Sequence, residues 1–556
     1  MYTRKNLLVN FSIIASLGVV TLLLNSGVLS GNWRWDDPAI LLHLNKYSIV
    51  DDFVNPDVWQ QFSPANLTPW LLVSFEIDLI IFGLRPVLFY VHQLVALTLA
   101  ATALYFCLKL WICRKFSVYG AFLFLLGTPG LVVAQQLMTR HYVEGLVLSL
   151  LSLICFVLFL RQSRPVLLIA SGLFYIVAIT AKEIYVPLLV LLPFLPESRL
   201  RHRLKAMLPL VVIALAYTLW RGYMLNSLSG GYADPEEYLS AAYFIDMISS
   251  FSRFPDLMFG SLGFVFIFLY FLLVASYAIV CRSNLITSAA VALLCLIPLV
   301  PLVRIPGILS ADRYLFLPWT ALSFSMAYFA DSIVQKFREQ GKSGSISLVY
   351  SCAAIFMLIS LSSSITIRQP VVDVGREYDV QAEYIWENND QLAFVPSANI
   401  LPAFWFVTDL VELKSRLLAQ ETSPLPVVDE IYLSESLPNL QEYVHDCRCL
   451  RDVVKSIPER LGDHQDRIRN DAGLSLSFEY RDGYFAWQFG PYKTGVYHAV
   501  SDVVGVIPVP TSGRQRVTLK ENTPFYLRYT SPEGWITYSS QQRIRHNAPL
   551  ISWQRE

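Results

Sequence analysis

Apolar runs of roughly twenty residues recur along the first two thirds of this chain, and they limit its fold more than any other feature. An α-helix of that length crosses a bilayer and satisfies its own backbone hydrogen bonds in lipid. Of the 556 residues, 54% are hydrophobic and only 15% are charged, a balance that a soluble protein of this size could not solvate. The formal net charge is zero, which gives no general attraction to nucleic acid. The sequence therefore predicts a polytopic α-helical membrane protein.

The apolar runs predict about eleven spans. These are 6–28, 86–112, 117–136, 143–161, 165–182, 183–197, 206–226, 258–281, 284–303, 313–334 and 345–366. Clusters of Lys and Arg fall on one side of this alternating topology, at 4–5, 109–115, 161–164, 199–205, 282 and 336–342. Because cytoplasmic loops carry an excess of positive charge, that side is predicted to be the cytoplasm. The N-terminus is then inside, and the first loop and the C-terminal region are outside.

The composition changes after about residue 368, where hydrophobic runs shorten and charged and turn residues appear. We therefore predict a transmembrane module at 1–367 and an extracytoplasmic domain at 368–556. Within the second region, 409–419 and 440–457 are predicted as helices and 430–433 as a strand. From about residue 474 the alternation of apolar and polar residues predicts a β-sandwich-like part. The redox state of Cys447 and Cys449 is left open by the sequence, since a disulfide between them would close a small ring.

The long outward loop, at 29–85, begins with an acidic pair, Asp36-Asp37, directly after the first predicted span. Two neighbouring carboxylates favour different ionisation states, so that one can accept a proton while the other orients a partner. A helix cap or a solvated turn is the ordinary alternative for such a pair. The same loop contains an apolar stretch at 67–83 that carries Glu76 and Asp78, which favours a helix lying in the interface or dipping into the bundle.

Further polar residues lie at the outward ends of predicted spans. Placing each of them near lipid costs free energy unless the residue is paired or belongs to a site. Ion pairs that join helix ends explain any one of them equally well. Together they supply cations for a phosphate, carboxylates and aromatic rings at one membrane boundary, as an anionic lipid site requires. The candidates are Arg140, His141, Glu144, Lys182, Glu183, Arg304, Arg313 and Tyr314.

Over roughly residues 1–335 the chain resembles the GT-C class of integral-membrane glycosyltransferases, which includes protein O-mannosyltransferases and aminoarabinose transferases. The resemblance rests on short motifs that occur in the same order as in that class and that are all predicted to lie on the same side of the membrane. These are Asp36-Asp37, Phe62-Ser63-Pro64, Phe82-Gly83-Leu84-Arg85-Pro86 leading to His92, Thr180-Ala181-Lys182-Glu183, and Asp312-Arg313-Tyr314-Leu315-Phe316-Leu317-Pro318. Asp312 stands where many members of the class have Glu.

The resemblance implies a GT-C-like fold and inverting transfer of a sugar from a polyprenyl-phosphate donor to an extracytoplasmic glycan, lipid or protein. It also implies a bacterial inner (cytoplasmic) membrane. Asp36 matches the usual base, Asp37 would orient it, and Arg140, Lys182 and Arg313 are the candidate donor-phosphate ligands; the others are secondary candidates. No cofactor is predicted, and no His or acid spacing supports a divalent metal. The alternatives are a transporter or flippase of lipid-linked sugars and a non-catalytic scaffold that displays the C-terminal domain.

Overall fold

The computed structural model describes residues 4–228, 258–281, 313–387, 393–395, 403–417, 440–481, 483–501, 505–517 and 519–555. These residues fall into two compact units. Of the described residues, the first unit contains 4–31, 67–228, 258–281 and 313–372. The second contains 32–66 together with the described residues from Asp373 onwards. The loop that carries the acidic pair thus folds with the C-terminal part of the chain, although the sequence assigns it to the membrane module.

The helices follow in chain order. They are α1 (Arg4–Asn25), α2 (Asp37–Lys46), α3 (Ile49–Val54), α4 (Pro56–Phe62), α5 (Pro69–Phe82), α6 (Pro86–Leu108), α7 (Arg114–Leu126), α8 (Thr128–Gln135), α9 (Arg140–Gln162), α10 (Pro165–Ala181), α11 (Leu188–Leu191), α12 (Leu200–Leu225), α13 (Gly263–Cys281), α14 (Phe316–Glu339), α15 (Ser343–Glu387), α16 (Ala403–Leu417) and α17 (Ile457–Asp466). Proline opens several of them, because its fixed φ suits the first turn and its missing N–H has no partner there.

Six helices in the described residues are long and apolar enough to cross a membrane, or seven if one bent pair is a single span. The chain is therefore a polytopic helical membrane protein, as predicted. The sequence predicts about eleven spans, more than the six or seven found among the described residues. The predicted span 284–303 lies outside the described residues, and the apolar helix α10 is shorter than these six. The predicted span 183–197 divides into α11 and two short 3-10 turns, Glu183–Tyr185 and Leu192–Phe194.

The bent pair consists of α7 and α8, which meet at an angle of 54°. Gly127 lies at the break, directly before Thr128 and Pro129. A Cβ at this glycine would lie only 2.0 Å from Nε1 of Trp319, so the close approach of α14 requires the absence of a side chain. Trp319 Nε1 donates to the carbonyl of Phe124 at 2.9 Å, which satisfies one of the carbonyls at the end of α7.

The C-terminal part of the second unit is rich in strands, as predicted. They are β1 (Ala393–Val395), β2 (Leu440–Val444), β3 (Cys449–Asp452), β4 (Leu474–Arg481), β5 (Tyr484–Gly490), β6 (Val496–Ser501), β7 (Gly505–Val509), β8 (Ser512–Arg516), β9 (Pro524–Thr530), β10 (Ile536–Tyr538), β11 (Gln542–Arg543) and β12 (Ile551–Arg555). One sheet has the order β10-β9-β6-β7, with β11 beside β9, and another has the order β12-β4-β5-β8.

The aromatic residues of these strands mostly form the core between the two sheets. Phe478 of β4 and Phe525 of β9 meet edge to face, with ring centroids 4.9 Å apart. The inward positions of β4 are buried and the outward ones are not, which is the alternation that predicted the strand. The packed sheets therefore confirm the predicted β-sandwich-like part.

The predicted helix at 440–457 is wrong. Residues Leu440–Val444 form β2, which pairs in parallel with β1 and antiparallel with β3. A disulfide joins Cys447 to Cys449 at the turn between β2 and β3, with Cα atoms 5.2 Å apart. Long-range pairing and the small ring override the local apolar spacing that favoured a helix. The predicted strand 430–433 lies outside the described residues.

Candidate functional site

The two acids of the outward pair have different surroundings. Asp36 is exposed and stands immediately before α2, at the N-cap position, where its side chain makes no capping hydrogen bond. Asp37 is fully buried as the first residue of α2, and its Oδ2 accepts the backbone N–H of Arg34 at 2.9 Å. The buried carboxylate is engaged in holding the turn, while the exposed one is accessible to a substrate.

An ion pair fixes the segment that leads into the acidic pair. The guanidinium of Arg34, which is 2% exposed, donates to both carboxylate oxygens of Asp379 at 2.7 and 2.6 Å. Asp379 also accepts the backbone N–H of Asn32 at 2.8 Å. A bidentate pair of this kind sets orientation as well as position. The start of the loop is thereby attached to α15.

Trp35 lies between that ion pair and Asp36, and its backbone has a φ of 47°. A bulky residue in the left-handed region carries about 1–3 kcal/mol of strain and persists only where the surroundings impose it. Here the surroundings include the ring of Tyr378, whose centroid lies 4.7 Å from that of Trp35. Strain next to a carboxylate is typical of functional segments.

Sequence reasoning missed two residues beside the acidic pair, Tyr378 on α15 and Asp409 on α16. Burial raises the pKa of Asp409 to about 7, and the nearby charges of Asp36 and Glu412 add to the effect. The ring of Tyr378 contacts Phe406, one turn before Asp409, at 4.7 Å. No motif indicates either residue, because they lie more than 300 positions along the chain from Asp36 and only folding brings them near it.

In the first unit, two of the predicted phosphate-binding cations converge on a pair of tyrosines. Lys182 lies directly after α10, with Nζ 5.1 Å from the ring centroid of Tyr142. The guanidinium carbon of Arg313 lies 5.2 Å from the ring centroid of Tyr314. The two tyrosine rings meet edge to face, 6.1 Å apart. Three separate segments therefore bring both cations to one place.

His141 belongs to the same cluster. Its side chain is only 9% exposed, and Nδ1 has no hydrogen-bond partner among the described residues. Lys182 and Arg313 both act electrostatically on its ring. The structure thus brings together four of the predicted residues, and we call Lys182, Arg313, His141 and Tyr314 the cationic cluster.

Arg140 is the third predicted phosphate ligand, and its surroundings are different. Its side chain is fully buried, with Nη1 2.6 Å from Oδ2 of Asp78 and Nη2 donating to the carbonyl of Phe89 at 3.1 Å. The guanidinium also packs 4.7 Å from the ring centroid of Phe75. A charge that is already paired and has no exposed surface is poorly placed to bind a lipid phosphate, so this geometry favours a structural role.

Glu144 extends the network around Arg140. It accepts from Nε1 of Trp70 and from Oγ of Ser74, both at 2.7 Å. His92 bridges the acids, with Nδ1 2.7 Å from Asp78 and Nε2 3.5 Å from Glu144. Asp78, one of the two acids predicted to keep α5 out of lipid, is thus buried within the protein, and α5 is held to α6 and α9 by charged groups.

Glu183 also makes structural contacts. It accepts the backbone N–H of Leu67 at 2.7 Å and pairs with Nε of Arg221 at 2.8 Å. Tyr217 donates to the carbonyl of Leu67 at 2.9 Å. These bonds fix the segment that leads into α5. Glu183 is the residue that directly follows Lys182. The remaining candidate, Arg304, lies outside the described residues, as does Asp312.

Among the residues that the structure describes, no group of three or more His, Cys, Asp or Glu side chains could hold a metal ion. The fold is that of a polytopic helical membrane protein with a C-terminal β domain, carrying an acidic site in one unit and a cationic cluster in the other.

Comparison with models of protein families and with curated proteins gives no match. Among solved structures, the chain is similar to ArnT from Cupriavidus metallidurans in the apo state, with 12% identity, a TM-score of 0.41, and coverage of 75% of this chain and 89% of that one. The same protein bound to undecaprenyl phosphate gives 10% identity, a TM-score of 0.39, and coverage of 84% and 92%. ArnT is an aminoarabinose transferase of the GT-C class.

Proposed function

We propose that this protein is a membrane glycosyltransferase that moves a sugar from a polyprenyl-phosphate donor to an extracytoplasmic acceptor. The observation that carries the proposal is the convergence of Lys182 and Arg313, two cations from distant parts of the sequence, on Tyr142 and Tyr314 beside the buried His141. Both cations belong to motifs through which the chain resembles the GT-C class.

The cationic cluster suits the phosphate of the donor. Lys182 and Arg313 would donate charge-assisted hydrogen bonds to its oxygens, which are stronger than neutral ones. As the bond between the anomeric carbon and the phosphate oxygen breaks, that oxygen keeps the electron pair and becomes more negative. Fixed cations stabilise this developing charge, so the leaving group needs no strong acid.

Asp36 suits the role of base in this reaction. An acceptor hydroxyl must lose its proton as it attacks the anomeric carbon from the face opposite the phosphate. An exposed carboxylate on a fixed turn can take that proton and return it to water. Asp37, which is buried and bonded to the backbone of Arg34, would hold the turn in place.

The direct test incubates the purified full-length protein with a panel of polyprenyl-phosphate sugars and extracted cell-envelope acceptors. Release of polyprenyl phosphate that depends on the acceptor is the expected result. Asp36→Asn keeps the shape of the side chain and removes its basicity, so it should abolish most of the release. Asp57→Asn is the matched control, because Asp57 is an exposed acid in the same loop.

A transporter of lipid-linked sugars is the alternative that this experiment separates. It would bind the donor through the same cations and would need no base. Movement of the donor between leaflets of a vesicle, without release of polyprenyl phosphate and with Asp36→Asn unimpaired, would establish transport and exclude the transferase.

A further inference from the structure

Tyr378 links the segment that carries Asp36 to the helix that carries Asp409. Its ring contacts the ring of Trp35, the residue before Asp36, at 4.7 Å. It contacts the ring of Phe406 at the same centroid distance, edge to face. Phe406 and Asp409 are three positions apart on α16 and therefore share a face of that helix. In addition, α2, which begins directly after Asp36, packs on α16, the helix that carries Asp409.

The hydroxyl of Tyr378 is a buried polar group in this part of the structure. Tyr378 is 0% exposed, and its Oη has no hydrogen-bond partner among the described residues. Asp36 and Asp37 both act electrostatically on it. A buried tyrosine hydroxyl normally has a partner.

The charges around Asp409 and Tyr378 come from three elements. The charges that act on Asp409 itself are those of Asp36, directly before α2, and Glu412, one turn along α16. Asp37, the first residue of α2, and Glu377 on α15 act on the neighbouring Tyr378. Glu377 lies 3.0 Å from His445, and Glu412 lies 2.5 Å from Arg416. Asp379, also on α15, is paired with Arg34. Among these groups, Asp36 is the acid whose charge acts on both Asp409 and Tyr378.

We propose that Asp409 is a positioning residue of the transfer reaction, whose ionisation sets the basicity of Asp36. This inference rests on the proposed function. When Asp409 is neutral, Asp36 is an ordinary weak base. When Asp409 ionises, the second negative charge makes a proton on Asp36 more favourable and so makes Asp36 a stronger base.

The sign of the pH dependence follows from burial. Because burial raises the pKa of Asp409 to about 7, it is neutral below that pH and ionised above it. Transfer should therefore increase by about 3–10-fold as pH rises through about 7, because Asp36 becomes the stronger base when Asp409 is ionised.

The experiment measures release of polyprenyl phosphate by the full-length protein between about pH 5.5 and 8.5, with donor saturating. The wild type should show the rise through about pH 7, and Asp409→Asn should lose it and match the wild type only at low pH. Glu412→Gln, on the same helix, should keep the rise and move it slightly to lower pH, because a charge that raises the pKa of Asp409 is removed. Asp409→Glu keeps a titrating carboxyl and should restore a rise if Asp409→Asn fails to fold.

The outcomes separate the two proposals. A wild type that is active and has the same pH profile as Asp409→Asn overturns the inference alone. A wild type that releases no polyprenyl phosphate at any pH, with any donor, overturns the proposed function and this inference with it. A rise that persists in Asp409→Asn but disappears in Glu412→Gln would show that Glu412, and not Asp409, is the acid that titrates. That result would also overturn the inference.

Discussion

Removing the charge of Asp78 should destabilise the protein strongly, because the buried Arg140 would lose its nearest charged partner and keep only Glu144, whose Oε1 lies 4.0 Å from Nε. The side chains of Arg140 and Asp78 are 0% and 2% exposed, and Nη1 lies 2.6 Å from Oδ2. At an effective dielectric constant of about 20, charges at this distance attract by about 6 kcal/mol. Desolvation offsets part of that attraction, and breaking such a pair typically costs about 3–5 kcal/mol.

A double-mutant cycle measures this directly. The free energy of unfolding in detergent is compared for the wild type, Asp78→Asn, Arg140→Gln and the double variant. Each single variant should lose about 3–5 kcal/mol, and the double variant should lose much less than the sum. The control is Glu339→Gln, which breaks an exposed ion pair with Lys336 and should cost about 0–1 kcal/mol.

A coupling free energy near zero between positions 78 and 140 would refute this reasoning. If Arg140→Gln were as stable as the wild type and instead lost affinity for a polyprenyl phosphate, Arg140 would be a phosphate ligand after all, as the sequence predicts. Measuring lipid binding on the same four proteins decides between these roles.

Three further results are expected. Asp36→Asn should reduce transfer by about 10²–10⁴-fold in a turnover assay, with a smaller effect for Asp37→Asn, and the reverse ranking would mean that Asp37 is the base. Lys182→Ala or Arg313→Ala should weaken binding of a polyprenyl phosphate by about 1.5–3 kcal/mol each in a lipid-binding assay, without lowering thermal stability as Asp78→Asn does; unchanged affinity in both would exclude the cationic cluster as the phosphate-binding site. A C-terminal reporter should be active only outside the cytoplasm, and cytoplasmic activity would contradict the predicted orientation.

The sequence alone determined the class of fold, because apolar length and strand alternation are local properties. Long apolar runs indicated membrane helices, and the alternation after residue 474 indicated the packed sheets. It also selected Lys182, Arg313, His141 and Tyr314, which the structure brings into one cluster. Cations at the ends of membrane helices could be selected from the sequence because a charged group is costly in lipid unless it is paired or binds a ligand.

Only the tertiary structure decided which polar residues were already engaged. Arg140 and Lys182 are equally plausible phosphate ligands in the sequence, yet Arg140 is paired with Asp78, a residue 62 positions earlier. The hairpin of β2 and β3 replaced a predicted helix because its partner β1 comes from another part of the chain. Asp409 and Tyr378 were not indicated at all. Ion pairing, strand pairing and desolvation depend on distances in space, and the order of residues along the chain does not specify these distances.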